Sequence, residues 1–190
     1  MTNYQSHRST IRTLTRQDLD DFYRVVTGYQ SPARYDVQHI ESPQHASISL
    51  TLRPLATPYV HLWSHDEFDM AHYAGVLAQE LSLAAHDGDL LVGLAIAEMQ
   101  RWNRSLWVWE FHVAESHRGQ GIGRQMMAEL VRRATPAGMR TIVCETQNTN
   151  VPAIQFYRAQ GFTLEGIDLS YYTNDDVTHG EVALFMKRKL

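Results

Sequence analysis

The stretch that most constrains how this chain can fold runs from Ser105 to Arg124, S-L-W-V-W-E-F-H-V-A-E-S-H-R-G-Q-G-I-G-R. An apolar strand pattern stops at a polar hinge and enters a glycine-rich turn that opens a helix. Arg118, Gly121 and Gly123 follow the spacing R-x-x-G-x-G. A helix from about Gly121 to Arg133 would aim its first free amides and the positive end of its dipole at that turn. Glycines at 119, 121 and 123 allow close backbone approach, so the turn suits a phosphate. Taken alone it reads equally well as an anion cradle or as an ordinary α/β crossover. A phosphate-loop nucleotidase is disfavoured, because no Lys-Ser or Lys-Thr follows the glycines. A dinucleotide fingerprint is disfavoured too, because the turn comes late in the chain and no doubly wound series surrounds it.

The rest of the chain supplies one α/β (α+β) frame for this turn. With 190 residues the chain has room for one sizeable core, and a single domain over residues 1–190 is expected, its cofactor-binding core at about 81–190. The segments Leu81–His86 and Leu90–Met99 flank Asp87-Gly88-Asp89, a strong hairpin signal, and a second turn at Arg101–Arg104 feeds the strand Leu106–Val113. After the glycine turn, Ile122, Met126, Met127, Leu130 and Val131 recur at helical spacing until Pro136-Ala-Gly138. Met139–Glu145 reads as a buried strand, and Asn148–Pro152 starts a short helix that Gly161 stops. Phe162–Tyr172 and Glu181–Lys189 read as a final strand pair around the polar loop Thr173–Gly180. Nearer the start, Thr10–Leu14 reads as a strand, Arg16–Val26 as a helical pattern, and Phe68–Glu80 as another helix. Between Tyr29 and Asp69, prolines at 32, 43, 54 and 58 punctuate the chain, with strands at Tyr35–Ile40 and Ala46–Leu52.

Charge narrows the partners. Seventeen basic against twenty-one acidic residues, net −4, offer no excess of positive charge for nucleic acid or an anionic membrane, and suit a cationic small molecule. No apolar run approaches the roughly 20 residues that span a bilayer. One cysteine and no charged-then-apolar leader make the cytoplasm the expected compartment.

A second motif follows the turn: E-T-Q-N-T-N-V-P-A-I-Q-F-Y-R-A-Q-G-F, Glu145 to Phe162. Asn150 and Tyr157 stand about two helical turns apart, so the amide and the phenol share one side of a helix. The plainer alternative is that Asn150 caps the helix and Tyr157 packs with Phe156 and Phe162. Together, R-G-Q-G-I-G and N-x-x-A-x-x-x-Y-x-x-x-G-F resemble the GNAT superfamily of acetyl-CoA-dependent N-acetyltransferases. The stretch from Trp102 to Leu190, with G-F-T-L-E-G-I-D ending at Asp168 and G-E-V-A-L-F-M ending at Met186, is similar to the streptothricin acetyltransferases, the nourseothricin-resistance enzymes.

That resemblance implies the GNAT fold, a mixed central β-sheet with splayed strands flanked by helices. It implies acetyl-CoA as cofactor, with Arg118, Gly119, Gln120, Gly121, Ile122, Gly123 and Arg124 around the pyrophosphate. It implies Phe111, His112 and Val113 along pantetheine, and Asn150, Ala153 and Tyr157 at its reactive end, with Tyr157 as general acid. It implies a primary amine of a cationic small molecule as acceptor, antibiotic resistance as a role, and a homodimer as one assembly. Protein N-terminal or lysine acetylation, and a non-catalytic acyl-CoA-binding module, are the alternatives.

The chemistry can be reasoned from the groups themselves. An amine attacking a thioester needs a free lone pair, a stabilised oxyanion and a proton for the departing thiolate, and no nucleophilic residue. The Val113 amide suits the oxyanion. A phenol with a pKa near ~10 matches a thiolate of similar basicity. By strand alternation Glu110 and His112 share a side unless a bulge intervenes, and either suits the base; Glu110 is the catalytic candidate, reading equally well as a solvated edge charge, and His112 is read as more structural. Cys144, in an apolar run without a basic partner, reads as a packing thiol. The ten histidines include His61-x-x-x-His65 but no convincing set of ligands, so no metal is expected. Trp102, Glu98, Asp168 and Glu181 are the candidates for contacting a cationic substrate; for the tryptophan, packing is the plainer reading.

Overall fold

The computed structural model describes residues 9–190. In chain order it has β1 (Thr10–Thr13), a 3-10 segment (Arg16–Asp21), α1 (Phe22–Val25), β2 (Tyr29–Ser42), β3 (His45–His61) and α2 (Met70–Val76). Then come β4 (Leu83–Asp87), β5 (Leu90–Gln100), β6 (Ser105–Val113), α3 (Ile122–Ala134), β7 (Thr141–Gln147), α4 (Val151–Ala159), β8 (Thr163–Asp168), α5 (Asp176–His179) and β9 (Ala183–Lys189). Seven strands form a mixed sheet flanked by helices, the expected class, and β2 with β3 forms a separate two-stranded sheet. The chain clusters into two compact units. One holds residues 9–27, 63–142 and Leu190; the other holds 28–62 and 143–189. No helix among the described residues is long and apolar enough to cross a membrane.

In the first unit β1, β4, β5 and β6 run antiparallel in that order. The Asp87–Asp89 hairpin forms as expected, Asp87 pairing with Leu90 and Gly88 taking a left-handed φ of 58°. Residues Leu91 through Ala97 are buried, because α3 lies over β4, β5 and β6. That helix buries Ile122, Met126, Met127, Leu130 and Ala134, each large side chain contributing roughly 1.5–3 kcal/mol on removal from water. Gly93 makes this packing feasible, since a Cβ there would lie 2.9 Å from Met126 Sδ and 3.2 Å from the His112 carbonyl. An aromatic layer of Phe22, Tyr23, Phe68 and Tyr73, with Trp63 at its rim, packs beside the same strands; Phe22 meets Phe68 edge-on at 5.0 Å.

Two helical expectations are shorter in the structure. Arg16–Asp21 winds as 3-10 before a single α turn, because Asp18 reaches back to the amide and hydroxyl of Thr15 at 2.8 and 2.7 Å. Arg12 holds the same carboxylate at 2.8 and 2.6 Å. In place of one helix over Phe68–Glu80, α2 begins at Met70 on the Asp69 cap, tightens to 3-10 at Leu77–Gln79 and stops at Glu80, left-handed at φ 58°.

The second unit contains what the sequence left blurred. β2 and β3 form one long hairpin closed by a two-residue turn, Pro43-Gln44, between the paired Ser42 and His45. Two of its prolines sit where a missing donor costs little: Pro32 falls in a register shift between Ser31 and Ala33, and Pro43 lies in the turn. Asn148 fastens the hairpin. Its backbone carbonyl accepts from Tyr35 N at 3.0 Å and its Nδ2 donates to the Tyr35 carbonyl at 2.7 Å. On its other side Asn148 N donates to the Val182 carbonyl at 2.9 Å, and its Oδ1 accepts from Val182 N at 2.8 Å. The sheet order here is β7, β9, β8, with β8 and β9 antiparallel. β8 is shorter than the expected Phe162–Tyr172, because Asp168 accepts from Ser170 N at 3.0 Å and turns the chain. β9 starts at Ala183 rather than Glu181. The expected Thr173–Gly180 loop contains α5, its start gathered by the buried Asp176, which accepts from the amides of Tyr172 and Thr173 at 2.9 and 2.7 Å.

Candidate active site

The glycine turn sits in the first unit between the end of β6 and α3. A single 3-10 turn, Glu115–His117, carries the chain out of the strand. Arg118 Nε then donates to the Val113 carbonyl at 3.0 Å, tying the turn to the strand end. Gly119 and Gly121 adopt φ of 76° and 85°, the left-handed region that side-chain-bearing residues avoid. A Cβ at Gly119 would meet nothing within 4 Å, so the glycines answer a backbone requirement and leave the turn open. Gly121 is the N-cap of the thirteen-residue α3, and no side chain caps it. Gln120 and Arg124 are exposed, whereas Ile122 is buried as the helix's first apolar anchor. Gln120 folds its amide back onto the Ser116 carbonyl at 3.1 Å.

β6 carries a bulge where the alternation matters. Ile96 pairs with Glu110 and Ala97 with Val108, which leaves Trp109 as the extra residue. Glu110 and His112, beyond the bulge, share a side as read from alternation. Glu110 is buried, 9% exposed, with one carboxylate oxygen accepting from Tyr73 Oη of α2. Its other oxygen lies 2.7 Å from His112 Nε2. The Trp63 indole stands edge-on to the His112 ring at 6.3 Å. Glu98 on β5 forms a second cluster, accepting from Trp109 Nε1 at 2.9 Å and lying 3.5 Å from His72 Nε2. Trp102, in the β5–β6 turn, is 85% exposed.

In the second unit Asn150 is the N-cap of α4, its side chain accepting from Ala153 N at 3.2 Å. Capping was the plainer alternative for this residue. Tyr157 is buried on the same helix, its ring 5.6 Å from Phe156 and 5.5 Å from Phe162, with the Cys144 thiol hydrogen-bonded to its hydroxyl. Burial pushes the Cys144 thiol well above its ordinary range, consistent with a packing thiol.

A carboxylate cluster in this unit was only partly visible in the sequence. Glu181 accepts from Tyr59 Oη at 2.7 Å and lies 3.2 Å from His61 Nδ1 and 3.5 Å from Thr149 Oγ1. The His61 contact, with help from Tyr59, holds its carboxyl below the usual range. Burial, then the bond to Glu181, raises Tyr59 to about 12. Tyr172 donates to Glu145, and burial followed by the charge of Glu145 drives its phenol far upward. Asp168 and Glu145 both raise the neighbouring Tyr171, after burial. Sequence reasoning singled out Glu181 and Asp168 but not Glu145, Tyr59 or Tyr172. The one available signal was a glutamate closing the apolar run Thr141–Cys144.

Residues 37–162 match the Acetyltransferase (GNAT) family. The chain belongs to the GNAT family of acetyltransferases. Within that family it is 39% identical over 100 residues to streptothricin acetyltransferase of Streptomyces lavendulae, an alignment covering 53% of this chain and 52% of that enzyme. It is 29% identical over 151 residues to streptothricin acetyltransferase of Escherichia coli, covering 80% and 79% of the two chains. The chain thus spans about half the length of the first of these relatives. A crystal structure of nourseothricin acetyltransferase superposes with a TM-score of 0.78 at 27% identity, covering 95% of this chain and 98% of that one. A Bacillus anthracis protein crystallised with acetyl coenzyme A shares the GNAT fold at a TM-score of 0.75 and 24% identity, covering 96% and 100%.

Proposed function

We propose that this protein is an acetyl-CoA-dependent N-acetyltransferase that acts by direct transfer on a primary amine of a cationic small molecule, with streptothricin-type antibiotics the leading class. The observation that carries the reading is the open left-handed glycine turn at the uncapped start of α3 in a GNAT-family chain whose relatives include streptothricin acetyltransferases. The turn suits a pyrophosphate: it opens α3 at an N-cap without a side-chain cap, a Cβ at Gly119 would find open space, and Arg118 is part of it. Acetyl-CoA supplies the acetyl group as an activated thioester. The amine nitrogen bonds to the acyl carbon as the carbon–sulfur bond breaks, and the nitrogen gives up two protons, one for the departing sulfur and one for solvent.

In this reading Arg118 to Arg124 cradle the pyrophosphate, Phe111 to Val113 align the pantetheine arm, and the Val113 amide polarises the acyl carbonyl. Asn150 and Ala153, joined at the start of α4, shape the reactive end, and Tyr157 protonates the sulfur. Glu145 and Glu181, surrounded by tyrosines, supply negative charge for a cationic acceptor, which favours a polyamine-bearing substrate. Asp168 adds to that charge; in the first unit, Glu98 and the exposed Trp102 are the candidate substrate contacts. The test is CoA release from acetyl-CoA across streptothricin, polyamines, lysine derivatives and N-terminal peptides. Turnover with streptothricin well above the other amines supports the reading, and turnover with peptides alone replaces it.

A further inference from the structure

We propose that the proton acceptor of this reaction is Nδ1 of His112, with Glu110 as a positioning residue that fixes the imidazole tautomer and Tyr73 as the residue that locks Glu110; the assignment rests on the acetyltransferase reading above. It departs from the expectation that Glu110 is itself the base. Both Glu110 oxygens are occupied, one by Tyr73 Oη and the other by His112 Nε2 at 2.7 Å. An ammonium reaching that buried carboxylate would have to share an oxygen with one of these two donors. The imidazole is differently placed. A ring nitrogen 2.7 Å from an ionised carboxylate carries a hydrogen, so the neutral ring keeps its lone pair on Nδ1. Among the described residues the ring's one hydrogen bond is the bond to Glu110. Its side chain is 14% exposed, against 10% for Glu110, and it directly precedes Val113 in the chain.

The surroundings keep the pair isolated. The bulge at Trp109 sets Glu110 opposite Ile96 and His112 opposite Leu94, both apolar. From α2 the titratable groups are Tyr73, bound to Glu110, and His72, which faces Glu98 at 3.5 Å. Glu98 on β5 is engaged by Trp109, and Trp63 stands edge-on to the ring at 6.3 Å. The arrangement follows the logic of a buried carboxylate orienting an imidazole. The substrate ammonium gives one proton to Nδ1, the imidazolium is stabilised by the Glu110 charge, and the freed nitrogen lone pair attacks. The ring then returns its proton to solvent.

The test combines a structural and a kinetic readout on the full chain. With ¹⁵N-labelled histidine, NMR should find neutral His112 as the Nε2–H tautomer, with the preference kept in Tyr73→Phe and weakened in Glu110→Gln. An Nδ1–H tautomer overturns the assignment without any appeal to activity. In steady-state kinetics His112→Gln should lose ~10²-fold in kcat while the acetyl-CoA KM stays within about twofold. Glu110→Gln should lower kcat by less than His112→Gln does, with the acetyl-CoA KM again within about twofold. A His112→Gln enzyme with wild-type kcat beside an impaired Glu110→Gln makes the carboxylate the base and overturns the proposal. Should His112→Gln fail to fold, the wild-type tautomer decides. A wild type inert toward every amine removes the acetyltransferase reading itself, whereas an active wild type with the reversed tautomer removes this assignment alone.

Discussion

Replacing Gly121 with alanine separates the conformational demand of the turn from its proposed ligand. Gly121 has φ 85°, and an added Cβ would find Arg124 Nη2 at 3.7 Å and Gln125 Nε2 at 3.9 Å, ordinary contact distances. The substitution therefore introduces no clash, and its cost is the left-handed backbone, about 1–2 kcal/mol. A natural control lies in the same unit. Gly88, in the β4–β5 turn, has φ 58° and open space around its Cβ direction, so Gly88→Ala carries the same kind of strain away from the proposed site. Gly88→Ala should lower Tm by ~2–8 °C, at about 2–4 °C per kcal/mol for a chain of this size. The open Gly121 turn is free to relax, so Gly121→Ala should lower Tm by less and instead bind CoA up to about 5–30-fold more weakly, because binding must restore the strained geometry. Thermal melts and titration calorimetry with CoA read the two effects separately. CoA affinity unchanged in Gly121→Ala, or weakened equally in Gly88→Ala, would refute the claim that this turn holds the pyrophosphate.

Other perturbations address the remaining parts of the account. Tyr157→Phe keeps the ring packing with Phe156 and Phe162, so it should bind acetyl-CoA nearly as well and lose ~10²-fold or more in kcat; unaltered turnover would remove the hydroxyl from the mechanism. Asn148→Ala removes the Tyr35 and Val182 side-chain partners and leaves two backbone groups unmatched, at roughly 1–3 kcal/mol each. Chemical denaturation should show that loss, and hydrogen exchange should show the hairpin strand at Tyr35 losing protection. Asp18→Asn tests pH linkage. Burial raises the Asp18 carboxyl, but Arg12 and Thr15 outweigh it, so the folded value lies below the unfolded one. The carboxylate's contribution is then fully present above about pH 5 and lost as pH falls through and below ~4. The stability gap between wild type and Asp18→Asn, measured by urea melts from pH 7 to pH 3, should narrow on the acid side; a gap that widens there contradicts the pairing.

What the sequence disclosed depended on how local each feature is. The glycine turn, α3 and α4 were readable because their signals lie within one or two turns of chain: a cap, a positive-φ glycine, an apolar face. The β5 and β6 strands announced themselves by the turns between them. The β2–β3 hairpin was read in part, its strands at Tyr35–Ile40 and Ala46–Leu52 but neither their full length nor their pairing, because much of both strands is exposed and the four prolines of that region imitate loop punctuation. Asp18 concealed the 3-10 segment by looking like an ordinary first-turn acid, whereas it is anchored by Arg12 of the preceding strand. The Glu110–His112 pair was legible from alternation, but not its engagement by Tyr73, thirty-seven positions away in the chain. The tyrosine-bound carboxylates arise the same way, from residues such as Tyr59 and Glu181 that the fold brings together across long sequence separations.

The central claim is that this chain transfers acetyl from acetyl-CoA to a cationic amine, and the most direct measurement is CoA thiol release by purified protein with acetyl-CoA and streptothricin. Release should be saturable, depend on both compounds and fall sharply in Tyr157→Phe. Release no faster than spontaneous thioester hydrolysis, with streptothricin and with every other amine class offered, would contradict it.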